Sequence, residues 1–302
     1  MLAIKLQEFI HNISIGDFKT IARALTLVEN NILPSEELLK SLNYHSSTPV
    51  IGITGPPGAG KSTLVNAIVS SLTSDGRKVA VLAVDPTSPF NLGSLLGDRI
   101  RMVKNFNNPN LFIRSLATRG SLGGVSEKTL EMIDVLRAAN FDLIIVETVG
   151  VGQSEIEIAG LADKTILVLV PEAGDEIQHI KSGLMEVANA FVVNKADREG
   201  ADHFANSLTK MVREQHQKIP VFKTVAEKNE GINDLIKWIE KPLEQNSDRK
   251  NILITQKALK IIQQQKMASI KTDVLYNAIV NMAKKPHFNV YRFVEEWLKA
   301  HN

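Results

Sequence analysis

Short apolar runs alternate with longer amphipathic stretches between Pro49 and Val225. The runs VIGIT (50–54), KVAVLAV (78–84), LFIRS (111–115), DLIIVE (142–147), TILVLV (165–170), AFVVN (190–194) and PVFKTV (220–225) are rich in Val and Ile. They are apolar on both faces, as strands buried in a parallel sheet are. Helical spacing fills the intervals 61–74, 94–105, 125–139, 154–161, 175–187 and 203–217. Strand–helix alternation predicts an α/β domain with a doubly wound, mostly parallel sheet. The flanks lack strand patterns: residues 2–44 read as two or three helices, and everything after Gly231 is helical. The expected layout is a helical N-terminal extension (1–48), a central α/β domain (49–245) and a helical C-terminal extension (246–302).

Composition adds bounds to this picture. The 302 residues are 44% apolar and 23% charged, which is ordinary globular usage. No run of about 18 apolar residues predicts a membrane span. The opening MLAIKLQEFIHN has neither the pattern of a signal peptide nor that of a transit peptide, so a cytoplasmic location is expected. Cysteine is absent, which excludes disulfides, thiolate metal sites and thiol nucleophiles. Net charge is +2, with 11 Lys and Arg against 5 Asp and Glu from Lys241 onward. Those basic residues are interleaved with apolar helical positions, so a solvated helix face is expected rather than a nucleic-acid surface.

Chemistry enters with GPPGAGKS, comprising Gly55, Pro56, Pro57, Gly58, Ala59, Gly60, Lys61 and Ser62, with Thr63 following. This is G-x-x-x-x-G-K-[ST] between a strand and a helix, the context that gives the motif its meaning. Glycines let main-chain N–H groups wrap phosphate, and the helix N-terminus adds partial positive charge. Lys61 is expected between the β and γ phosphates, with the Ser62 hydroxyl on Mg²⁺.

Asn194, Lys195 and Asp197 in AFVVNKAD fit N-K-x-D at a strand end. A carboxylate at Asp197 can accept from guanine N1–H and the 2-amino group together. Adenine offers an acceptor at N1 and no 2-amino group, so GTP is favoured over ATP. Lys195 is expected to lie along the base or contact the phosphate loop.

Asp85, Asp98 and Glu147 fall beyond carboxyl ends of strands, where doubly wound sheets present ligands. Mg²⁺ usually takes one or two carboxylates, often through water. Three acids leave one to orient the attacking water or couple a loop to the γ-phosphate, while Asp98 alternatively pairs with Arg99 or Arg101 on an exposed helix. In GVGQSE, Gly150 suits a loop that senses the γ-phosphate, and Gln153 either holds a water or packs the loop. Lys181 in EAGDEIQHIKSG either faces solvent or reaches the phosphates when that loop closes.

Together these residues resemble the MeaB/ArgK/MMAA family, the G-protein chaperones of adenosylcobalamin-dependent acyl-CoA mutases. The resemblance runs through GITGPPGAGKSTL, AVDPTSP, GSLLGDRIRM, RSLATRGSLGG, ETVGVGQSE, AGDEIQHIKSGLMEVA and VVNKAD, roughly residues 20–200. It implies slow GTP hydrolysis that a bound mutase, methylmalonyl-CoA mutase first among them, accelerates. It also implies gating of cofactor delivery, protection of the mutase during turnover, and a homodimer built through helical extensions. Lys61 and Ser62 would bind phosphate and Mg²⁺; Asp85, Asp98 and Glu147 would form the acidic centre; Lys181 would serve partner-stimulated hydrolysis. Val225 and Ala226 of KTVAEKNEG resemble the last base-binding loop, although Val225 stands where the family usually has serine. His179 replaces a commonly small residue, and the chain from Asn246 onward departs from the family pattern. The competing readings are a metal-insertion GTPase, for which Cys and clustered His are missing, and a kinase, against which N-K-x-D argues.

Overall fold

The computed structural model describes residues 2–43, 48–85, 108–117, 128–148, 158–172, 188–214, 219–242 and, with gaps, 255–301; side chains of 2–5, Asp85 and His301 lie outside the description. By contacts the chain divides into two compact units, Met1–Gln245 and Asn246–Asn302.

Seven strands form the first unit's sheet: β1 (Val50–Thr54), β2 (Val79–Asp85), β3 (Leu111–Ala117), β4 (Leu143–Glu147), β5 (Lys164–Leu169), β6 (Ala190–Val193) and β7 (Val221–Lys223). Their order is β3-β2-β4-β1-β5-β6-β7 and every ladder is parallel. The chain leaves β1 toward β2 on one side and enters β5 on the other. The direction of winding therefore reverses around β1, the position at which such sheets bind ligands beyond the strand ends. Every residue of β1, β4, β5 and β6 is buried, as their two-sided apolar character predicts.

Helices cover both faces. On one side lie α1 (Leu2–Ser14), α2 (Phe18–Glu29), α3 (Ser35–Ser41) and α5 (Thr129–Arg137). In α2 the buried Ile21, Ala24, Leu25 and Val28 recur every three or four residues, giving one apolar stripe. The Asp17 side chain caps its start by accepting from the Thr20 N–H at 2.8 Å. Leu25, Leu38, Met132 and Leu136 share one continuous core with Leu82 and Val146 of the sheet. The N-terminal helices are thus built into the α/β unit; Leu25→Ala would cost about 2–5 kcal/mol. On the opposite side α4 (Lys61–Ser74) and α7 (Ile232–Glu240) pack on β1, β2, β4 and β5, while α6 (Ala201–Glu214) covers Leu167 and Leu169 of β5 and Phe191 and Val193 of β6 on the same face as the N-terminal helices. Of the intervals expected to be helical, 94–105 and 175–187 lie outside the described residues.

The second unit contains α8 (Thr272–Ala283) and α9 (Val290–His301). Phe293 is buried beside Phe288 and Trp297, yet α8 buries no residue within the chain. Among the described residues no helix is long and apolar enough to cross a membrane.

Candidate functional site

The turn after β1 is shaped by backbone constraints before any charge is considered. Gly55 has φ +142, and a Cβ there would stand 2.1 Å from the Val168 carbonyl oxygen of β5. Gly60 has φ +85, and a Cβ there would stand 2.4 Å from Asn194 Nδ2. Both positions therefore require glycine for conformation and for room. Between them Pro57 and Gly58 are exposed, Pro56 and Gly60 are half-buried, and Ala59 is buried. Lys61 begins α4 and donates from Nζ to the carbonyls of Gly55 at 2.8 Å and Pro56 at 3.0 Å. The ammonium lies inside the curve of the loop, where a phosphate chain would meet it. Thr63 is the third residue of the helix and is half-buried.

Ser62 and Glu147 meet at the mouth of this loop. The Ser62 hydroxyl donates to Glu147 Oε1 at 2.6 Å, and both residues are buried. β4 pairs with β1 in register Ile53↔Glu147, which sets the carboxylate beside the start of α4. Next to it Thr148 Oγ1 donates to Thr54 Oγ1 at 2.8 Å, and the Thr148 N–H donates to the Ile53 carbonyl at 3.0 Å. A hydroxyl and a carboxylate are hard oxygen donors, a set that suits Mg²⁺ and not a soft metal. Asp85 is the final residue of β2, though its side chain lies outside the described residues. Asp98, Gly150, Gln153, His179 and Lys181 also fall outside them. Among the described residues no three acidic or histidine side chains converge, so the acidic centre is represented by Glu147 alone.

Asn194 joins the phosphate loop to the loop after β7. Its Nδ2 donates to the Ala59 carbonyl at 2.9 Å, while its Oδ1 accepts from Thr224 Oγ1 at 3.1 Å and the Ala226 N–H at 3.2 Å. The residue is 2% exposed, so each of these bonds stands in place of one to water. Lys195 has φ +55 and donates from Nζ to the Gly58 carbonyl at 2.8 Å, which is the loop contact expected for it. Asp197 lies on the rim, its carboxylate accepting from Lys228 Nζ at 3.0 Å. That hydrogen bond from Lys228 holds the Asp197 carboxyl below its ordinary pKa, so it is ionised at neutral pH. Val225 and Ala226 are buried, and Val225 pairs with Glu230 to close the turn 225–230.

Thr224, the Thr54–Thr148 pair and Lys228 escaped the motif reading. Each lies inside a quoted stretch but at a position to which the motif reading gave no role, and their partners are distant in the chain. Lys228 carries no signal beyond its charge.

A glycine loop opening a helix at the winding reversal, a hydroxyl–carboxylate pair at its mouth and an N-K-x-D loop bonded to it define a P-loop nucleotide-binding protein. Comparison makes the class specific: residues 21–283 match the model of the family described as Methylmalonyl Co-A mutase-associated GTPase MeaB, and the chain belongs to that family. A putative GTPase of Pyrococcus horikoshii is 47% identical over 238 residues, covering 76% of this chain and 75% of that one. The GTPase ArgK of Escherichia coli is 43% identical over 205 residues, covering 66% and 62%. A crystal structure of a LAO/AO transport system kinase superposes with a TM-score of 0.67 at 29% identity, covering 98% of each chain. The protein is therefore a GTPase of the MeaB family, with its fold shared across nearly its whole length.

Proposed function

We propose that this GTPase works as a chaperone of an adenosylcobalamin-dependent acyl-CoA mutase, methylmalonyl-CoA mutase first among the candidates. GTP lies in the glycine loop with its phosphates on the main-chain N–H groups of residues 58–63 and on the Lys61 ammonium. Ser62 and Glu147 would hold Mg²⁺ with Asp85 and Asp98, directly or through water, and the ion would supply charge neutralisation to the phosphates. Glu147 accepts from the Ser62 hydroxyl, which leaves the hydroxyl lone pairs available to a cation. Asp197 reads the guanine edge, Lys195 flanks the base, and Val225 with Ala226 forms the wall of the base pocket. Gly150 lets the loop after β4 respond to the γ-phosphate, and Lys181 supplies positive charge when the partner is bound.

The observation that carries the nucleotide reading is the 2.6 Å Ser62–Glu147 contact at the mouth of the glycine loop. The mutase reading is supported by the family's own description, and only by analogy. A homodimer through the second unit is supported by apolar side chains of α9: Val290, Tyr291, Val294 and Leu298 are 47%, 83%, 46% and 47% exposed. Such a helix face is more apolar than a solvated surface requires.

The test is steady-state GTP hydrolysis with and without a candidate mutase, by phosphate release. Stimulation of about tenfold or more by one acyl-CoA mutase, reduced in Lys181→Ala, is expected. The absence of stimulation by every such mutase encoded in the source cell would overturn the chaperone reading.

A further inference from the structure

Four basic side chains stand at the phosphate loop and the N-K-x-D loop, and the structure gives each a different task. Lys61 turns into the phosphate loop, Lys195 donates to the Gly58 carbonyl at 2.8 Å, and Arg198 is ion-paired with Glu172. Lys228 alone among the described residues forms an ion pair with Asp197, at 3.0 Å. The neighbouring Val225 and Ala226 have no side-chain donor to offer that carboxylate.

Lys228 is also well placed to hold it. It ends the 3-10 turn Ala226–Lys228, and its N–H donates to the Val225 carbonyl at 2.9 Å. The same turn is tied to Asn194 through the Ala226 N–H, and Asn194 is tied to the phosphate loop at Ala59. The root of the Lys228 side chain is thus fixed in the frame that fixes the nucleotide. An aspartate carboxylate at a rim, 42% exposed, otherwise rotates among several orientations. Each carboxylate oxygen accepts more than one hydrogen bond, so an ammonium on Oδ2 leaves lone pairs for two N–H groups of a base.

We propose that Lys228 is a positioning residue for base recognition, fixing the Asp197 carboxylate so that both its oxygens face the guanine edge. The inference rests on the reading of Asp197 as the guanine contact. Lys228 touches the carboxylate and not the base, and its effect is expected in affinity for guanine nucleotides. A charge pair in which both members reach solvent gives a modest gain, about fivefold in binding at most before the base covers it.

The experiment is titration calorimetry of GDP with Mg²⁺ against the whole chain carrying Lys228→Met, Lys228→Arg or Asp197→Asn. Lys228→Met keeps the aliphatic stem and is expected to weaken GDP about fivefold. Lys228→Arg is expected to restore affinity to within about twofold, because a guanidinium also donates to a carboxylate. In the Asp197→Asn chain, probed with xanthosine diphosphate whose 2-carbonyl suits an amide donor, Lys228→Met is expected to have less than about a twofold effect. Unchanged or tighter GDP binding in Lys228→Met overturns the proposal, as does a loss that Arg does not repair. GDP binding unchanged by Asp197→Asn would instead overturn the guanine-contact reading itself, so the two failures are distinguishable.

Discussion

The two ends of the central sheet each contain a buried lysine that donates to main-chain carbonyls. At the carboxyl end Lys61, 7% exposed, donates to Gly55 and Pro56. At the amino end Lys164, 5% exposed, donates to Trp238 and Ile239 at 2.8 Å each and to Lys241, with its ammonium 4.6 Å from the Trp238 ring centre. Burial and partners are alike; the backbone that presents the carbonyls is not. Those around Lys164 are the terminal carbonyls of α7, which lack helical partners and face a cation favourably. Those around Lys61 belong to a glycine turn whose N–H groups and adjoining helix start suit an anion. Lys164 closes a helix, whereas Lys61 stands in a turn suited to an anion. A buried lysine is therefore no sign of chemistry until the backbone around it is examined.

Exchanging either lysine breaks the comparison in opposite ways. Lys61→Ala is expected to weaken GTP and GDP by roughly 100-fold, from ~3 kcal/mol for a buried charge contact, with a smaller loss of melting temperature than Lys164→Met because water reaches the exposed Pro57–Gly58 turn. Calorimetric titration and a thermal melt read the two halves of that statement. Gly60→Ala comes next: the φ of +85 and the 2.4 Å approach to Asn194 Nδ2 are expected to cut GDP affinity about tenfold, an effect a fluorescent GDP analogue reports. Lys164→Met should do the reverse of Lys61→Ala. Leaving the α7 carbonyls without a donor is expected to cost about 2 kcal/mol in urea unfolding, while GDP affinity stays within about twofold.

What could be read from the sequence follows the same division. The seven strands were legible as short apolar runs, every residue of which is buried in β1, β4, β5 and β6 though not in β7, and the phosphate loop because its chemistry is contained in eight consecutive residues. The start of β5 was not: the apolar run begins at Thr165, whereas the strand begins at Lys164, whose ammonium is met by the α7 carbonyls. Thr224 and Val225 read as a continuation of β7, but the strand stops at Lys223 and the chain turns to meet Asn194 and Glu230. N-K-x-D marked Asn194 and Asp197, yet the three bonds of Asn194 and the Lys228 contact depend on residues brought together only by folding.

The smallest expected effect concerns pH. Burial lowers the Lys164 pKa below its ordinary value, so the unfolded chain binds more protons than the folded one between the lowered value and 10.5. Stability from this group therefore rises with pH through that window. Urea unfolding of wild type and Lys164→Met above neutrality should show their stability difference changing in that sense.

The central claim is that the carboxyl end of the sheet is a guanine nucleotide site assembled from Lys61, Ser62, Glu147, Asn194 and Asp197. Titration calorimetry of the whole chain with GDP and with ADP, each with Mg²⁺, tests it most directly. The account predicts GDP at least about 100-fold tighter than ADP, because Asp197 meets two donors on guanine and an acceptor on adenine. Equal affinity for the two nucleotides would contradict it.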